Sequence, residues 1–106
     1  MTDENSSPPA LAISGEFTIF TAADLKPRLL HAVIDAESED VDIDLSEVSE
    51  IDSAGLQLLL ATRRSVAERG ASLQITGLSG SAADALAVFG LDARLDTLVT
   101  RNGARA

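Results

Sequence analysis

Apolar positions along the chain fall into two rhythms, and their alternation lays out a domain. Leu11-Ala12-Ile13-Ser14 alternates, Gly15-Glu16 interrupts, and Phe17-Thr18-Ile19-Phe20 follows. This pattern predicts two short strands joined by a tight turn, with Leu11, Ile13, Phe17 and Ile19 facing in. From Thr21 to Ala36 the spacing becomes helical: Leu25, Leu29 and Val33 share a face, flanked by Leu30 and Ile34. Thr21 is a candidate cap, with Asp24 three residues on. Pro27 suits only a first turn, so the regular helix is expected to begin nearer Asp24. After an acidic loop from Glu37 to Asp40, Val41-Asp42-Ile43-Asp44-Leu45 alternates strictly, which predicts a strand with one wet face. Ser46 to Glu50 reads as a polar connection. Ala54 to Arg69 is a predicted helix, with Leu56, Leu59, Leu60 and Val66 toward the core and Gly70 as its stop. Ser72 to Thr76 alternates again. Ser81 and Asp84 resemble a capping pair for a third helix, Ala82 to Phe89, ended by Gly90. Leu91 to Val99 is expected to close the domain with a short helix or strand.

Every predicted strand is apolar at alternate positions, and none is apolar throughout. A parallel sheet covered on both faces shows continuous apolar runs. The predicted fold is therefore α/β: a two-layer domain with a mixed, mainly parallel β-sheet and helices packed on one face. An antiparallel hairpin would open it and strand-helix-strand units would follow. Residues 1–9, with Ser6-Ser7-Pro8-Pro9, are expected to be a disordered lead-in, 10–99 the domain and 100–106 a frayed tail.

Composition narrows the chemistry. The chain has 106 residues, which suits one domain, and a formal net charge of −9, which opposes nucleic acid and anionic lipid. Three Phe with no Trp and no Tyr leave few platforms for stacking bases. The absence of cysteine rules out disulfides, zinc-thiolate sites and thiol catalysis. No apolar run approaches the ~18 residues of a membrane helix, so no membrane insertion is predicted. The first residues lack the basic and apolar regions of a signal peptide, and the expected location is cytoplasmic. Nine of the seventeen acidic residues lie between Asp35 and Asp52, and Asp42 and Asp44 share a strand face. The calcium-loop pattern with its glycine is missing, so a solvated acidic face is a better reading than a metal site. The sole lysine, Lys26, is too early for a receiver domain, and the sole histidine, His31, sits mid-helix. Arg63 and Arg64 read as solvated. No glycine-rich phosphate loop precedes a helix. No catalytic residues and no cofactor are predicted.

One segment keeps its chemical interest: Ile51-Asp52-Ser53-Ala54-Gly55-Leu56, at a strand-to-helix turn. A serine at a helix entrance is well placed to carry a phosphate as a switch. It is also an ordinary helix-capping residue. A phosphate would add about −1.5 to −2 charge at pH 7 to a surface that already holds Glu47, Glu50 and Asp52. Gly55 costs helix propensity. Close approach of a partner's backbone would explain it, and so would close packing inside the domain.

The chain resembles the STAS domain family, named for sulfate transporters and antagonists of anti-sigma factors, over about residues 10–99. The Gly15-Glu16 turn, Asp44-Leu45-Ser46-Glu47-Val48 and above all Ile51-Asp52-Ser53-Ala54-Gly55-Leu56 carry the resemblance. Gly70-Ala71-Ser72-Leu73 and Phe89-Gly90-Leu91 add to it. It implies a non-enzymatic regulatory binding domain of the anti-sigma-factor-antagonist kind, with Ser53 the phosphorylated residue. The implied partners are a GHKL-type serine kinase that is also the anti-sigma factor, and a phosphatase that resets the switch. The expected contact surface is Glu47, Ser49, Asp52, Ser53, Ala54, Gly55 and Leu56. Asp52 would either cap the helix or orient Ser53 toward the kinase's ATP. The family also contains accessory subunits of membrane lipid ABC transporters, which would bind the transporter ATPase, and components of chemotaxis or two-component assemblies.

Overall fold

The computed structural model describes residues 10–91. The expectations for residues 1–9 and 100–106, and for a closing element beyond Leu91, lie outside the described residues. The elements are β1 (Ala10–Phe17), α1 (Ala22–Ala36), β2 (Val41–Ile51), α2 (Ser53–Glu68), β3 (Leu73–Leu78) and α3 (Gly80–Val88). The strands form one sheet in the order β1-β2-β3, and both pairings are parallel. Successive right-handed crossovers that step in one direction place their helices on the same face. In agreement, α1 and α2 pack against each other over the sheet. The two-layer α/β reading is therefore observed, with α1 and α2 on one face of the sheet.

The opening antiparallel hairpin does not form. Residues 10–17 are one strand that runs through Gly15 and pairs in parallel with β2. Gly15 has φ 77°, a conformation that favours glycine, so its break in the alternation marks an irregularity within a strand. Ile19, expected inside, lies beyond the strand in an exposed loop.

The second correction concerns β2. The presumed connection Ser46 to Glu50 is part of the strand. Its buried residues are Val41, Ile43 and Leu45, then Val48 and Ile51. The spacing changes from two to three because the register with β1 shifts twice, between Ala12 and Ser14 and between Gly15 and Glu16. At each shift β2 carries one extra residue, which returns the following apolar side chain to the core face. Asp44 steadies the first shift: its carboxylate accepts from the Ser46 amide at 2.9 Å, which holds its pKa below the ordinary carboxylate value.

In α1, Leu25, Leu29, Val33 and Ala36 are buried, while Leu30 and Ile34 stand about half in water. The helix begins at Ala22 despite Pro27, because the loop before it already supplies acceptors. The Ala22 amide donates to the Thr18 carbonyl at 2.8 Å and the Leu25 amide to the Thr21 carbonyl at 3.0 Å. Beyond the end of β3, α3 lies alongside the second half of β2. Its cap is Ser79, not Ser81: Ser79 Oγ accepts from the Ala82 amide at 3.0 Å. The same hydroxyl donates to the Val48 carbonyl at 2.6 Å. No helix among the described residues is long and apolar enough to cross a membrane.

Candidate functional site

At the carboxyl end of β2 the chain turns in a single residue, Asp52, and enters α2 at Ser53. Asp52 is extended and caps the helix, its Oδ1 accepting from the Gly55 amide at 3.0 Å. Its Oδ2 accepts from the Ile19 amide at 3.0 Å, across to the loop between β1 and α1. Its own amide donates to the Phe17 carbonyl at 3.4 Å. One carboxylate thus ties the start of α2 to the end of β1. The Gly55 bond, then the Ile19 bond, favour the ionised form and hold the Asp52 pKa below the ordinary carboxylate value. Of the two jobs open to Asp52, capping is the one its side chain performs.

Because the cap is filled, Ser53 is left over. It is the first residue of α2 and is exposed, and its hydroxyl makes no hydrogen bond among the described residues. The first amides of a helix have no intrahelical acceptor and carry the positive end of the helix dipole. An anion on Ser53 would meet that end of α2.

Gly55 answers the question its position raised. A Cβ there would run into the Phe17 carbonyl oxygen and come within 2.8 Å of the Phe17 carbonyl carbon and 3.2 Å of its ring. Close packing of α2 on β1 demands the glycine, so a partner's backbone is not needed to explain it. Leu56 is also buried. Within the expected contact segment, burial therefore turns Gly55 and Leu56 into the domain. Ser53 is exposed, and Asp52 and Ala54 are half-buried. Glu47 and Ser49 are exposed on β2, Glu47 on the face away from the helices beside Ser14.

Sequence reasoning missed the neighbour of this turn. The loop Thr18 to Thr21 holds Ile19, which is 66% exposed, and Phe20, which is 86% exposed. The available signal was the pair Thr18 and Thr21, three residues apart after a strand, a spacing that side chains use to close a turn. The remaining candidates stay apart from the turn or from one another. Lys26 and His31 are exposed on α1. Asp42 and Asp44 are half-buried on the face away from the helices, and no group of three metal-ligating side chains assembles among the described residues. A cavity of about 310 Å³ lies at the far end of α2, lined by Arg63, Ala67 and residues 71–75.

A family model described as "Mlab, STAS domain" matches residues 1–100, nearly the whole chain. No curated protein matches it.

Proposed function

This chain belongs to the STAS domain family, and we propose that it is a non-enzymatic, cytoplasmic regulatory domain of the anti-sigma-factor-antagonist kind. Its partner is a GHKL-type serine kinase that doubles as an anti-sigma factor. Phosphorylation of Ser53 breaks that association, and a phosphatase restores it. The observation that carries this reading is the division of labour at the turn. Asp52 makes the cap and the bond to the Ile19 amide, and Ser53, exposed beside it, makes no hydrogen bond among the described residues.

The chemistry follows from charge. A neutral hydroxyl docks at modest cost, whereas a phosphate adds about −1.5 to −2 charge to an entrance that already holds Asp52, with Glu50 two residues before it. A partner that meets the hydroxyl with an apolar or acidic patch rejects the phosphate, because like charges facing each other across an interface cost several kcal/mol. Release therefore needs no refolding, because the modified side chain makes no hydrogen bond among the described residues. Incubation with the cognate kinase and ATP, followed by peptide mass spectrometry, tests the assignment. One phosphate on Ser53 is expected; a phosphopeptide lacking Ser53 overturns it.

A second reading rests on the same exposed hydroxyl, since an exposed Ser53 also permits docking without modification. In that case the chain is an accessory subunit of a membrane lipid ABC transporter and binds its ATPase unswitched. It would then co-purify with membrane components and be indifferent to Ser53→Ala and Ser53→Glu alike.

A further inference from the structure

The loop between β1 and α1 holds two apolar side chains in water and fixes its backbone in doing so. Ile19 and Phe20 are 66% and 86% exposed. A slack loop would let them fold back, but every amide from Thr18 to Ala22 has an acceptor. The Thr18 amide donates to Thr21 Oγ1 at 3.0 Å, Ile19 to Asp52 Oδ2 at 3.0 Å, and Phe20 to Thr18 Oγ1 at 3.2 Å. Thr21 and Ala22 both donate to the Thr18 carbonyl. Thr18 is itself buried, and the Thr21 hydroxyl donates back to the Glu16 carbonyl at 2.9 Å. Apolar groups presented on a fixed backbone lose little further freedom on binding. Asp52 couples the loop directly to the turn that bears Ser53.

We infer that Ile19 and Phe20 are the apolar anchor of the docking surface that Ser53 regulates, and that their occupant is a protein with an apolar pocket rimmed by Lys or Arg. The inference rests on the docking role proposed for Ser53 and adds the part of the surface that supplies affinity. Charge selects the occupant. Glu16 and Glu50 pair at this end of the sheet, Asp52 follows, and Asp24 lies in the first turn of α1. A second copy of this chain, at −9, would bring the same sign of charge, and so would an anionic membrane. A basic-rimmed pocket receives the two side chains and pairs the surrounding carboxylates. The rim pairs the fixed carboxylates, whereas the part of the partner that meets the Ser53 hydroxyl is apolar or acidic, so a phosphate there is rejected while the anchor itself is unaltered.

Two measurements on the full chain test this. Benzoylphenylalanine at position 20, with Val88 (82% exposed, on α3) as the control position, is irradiated in the producing cells. A protein cross-link from position 20 is expected; cross-links only to a second copy or to lipid, or none, overturn the inference. Affinity for the purified kinase is then compared for wild type, Phe20→Ser, Ile19→Ser and Ser53→Glu. Phe20→Ser is expected to weaken binding at least tenfold, with thermal stability unchanged because the side chain is already in water, and added salt to weaken it further. If Ser53→Glu weakens binding and Phe20→Ser does not, the anchor is wrong and the switch stands. If Phe20→Ser weakens binding and Ser53→Glu does not, the anchor stands and the switch is wrong.

Discussion

The starts of α2 and α3 use the same local device for different ends. Each follows a parallel strand, each opens with one short polar residue in extended conformation, and each cap accepts from the amide three residues on. At α3 the cap is the neutral Ser79, and its hydroxyl turns inward to the Val48 carbonyl. The next residue is Gly80, which offers no side chain. At α2 the cap is the charged Asp52, and its second oxygen turns outward to the Ile19 amide. The next residue is Ser53, with a hydroxyl that nothing in the described fold uses. The start of α3 ties its cap into the fold. The start of α2 does so through Asp52 and Gly55 and leaves an exposed hydroxyl on the next residue, with Asp52 bonded to the loop that carries Ile19 and Phe20. A serine at a helix entrance is thus no sign of function by itself; what matters is whether it also makes the cap.

The largest effect is expected at Gly55. Gly55→Ala drives a methyl into the Phe17 carbonyl, and backbone cannot give way as a side chain does. A loss of about 3 kcal/mol is expected, read by urea denaturation. A loss below about 0.5 kcal/mol would show that the close approach of α2 to β1 is not needed. Next comes Ser79→Ala, which removes the cap of α3 and leaves the buried-side Val48 carbonyl without its donor. About 1–2 kcal/mol is expected by the same measurement.

Asp52→Asn sharpens the contrast between a charged and a neutral cap through pH. Folded Asp52 has a lowered pKa, from its bonds to Gly55 and Ile19, so the unfolded chain takes up the proton first as pH falls. The stability Asp52 adds is present above the ordinary carboxylate value and is lost as pH falls through the lowered folded value. Wild type should exceed Asp52→Asn in denaturation midpoint at neutral pH, and the gap should narrow toward pH ~3. Ser79→Ala should show no such narrowing. The smallest effects are expected at the residues after the caps. Ser53→Ala should change stability by less than about 0.5 kcal/mol. Gly80→Ser, where an added Cβ meets nothing within 4 Å, should be equally mild, and the proposed kinase is expected to leave the new serine unmodified because no Ile19–Phe20 pair stands beside it.

How much of this could be read from the chain depends on where its periods hold. Leu25, Leu29 and Val33 keep a strict helical face, and Val41 to Leu45 keep strict alternation, so α1 and the first half of β2 were legible. Leu45, Val48 and Ile51 are spaced by three, because register shifts against β1 insert residues that no single-strand pattern can reveal. Gly15 misled in the same way: a positive φ inside a strand looks like a turn when the partner strand is unseen. The turn at Asp52 was legible as a place, since a strand pattern met a helical one there. Its division of labour was not, because the Ile19 amide is 33 residues from Asp52 in the chain. The apolar anchor was hidden for a related reason: Ile19 continues the alternation of β1 in sequence, while the Thr18–Thr21 hydrogen bonds end the strand in space.

The affinity of the proposed kinase for the wild-type chain, Ser53→Ala and Ser53→Glu, measured by calorimetry alongside their melting temperatures, tests the Ser53 switch most directly. All three are expected to melt together, Ser53→Ala to bind as wild type does, and Ser53→Glu to bind at least tenfold more weakly. Equal binding by all three, or a Ser53→Ala chain that melts like a helix stripped of its cap, would contradict the switch.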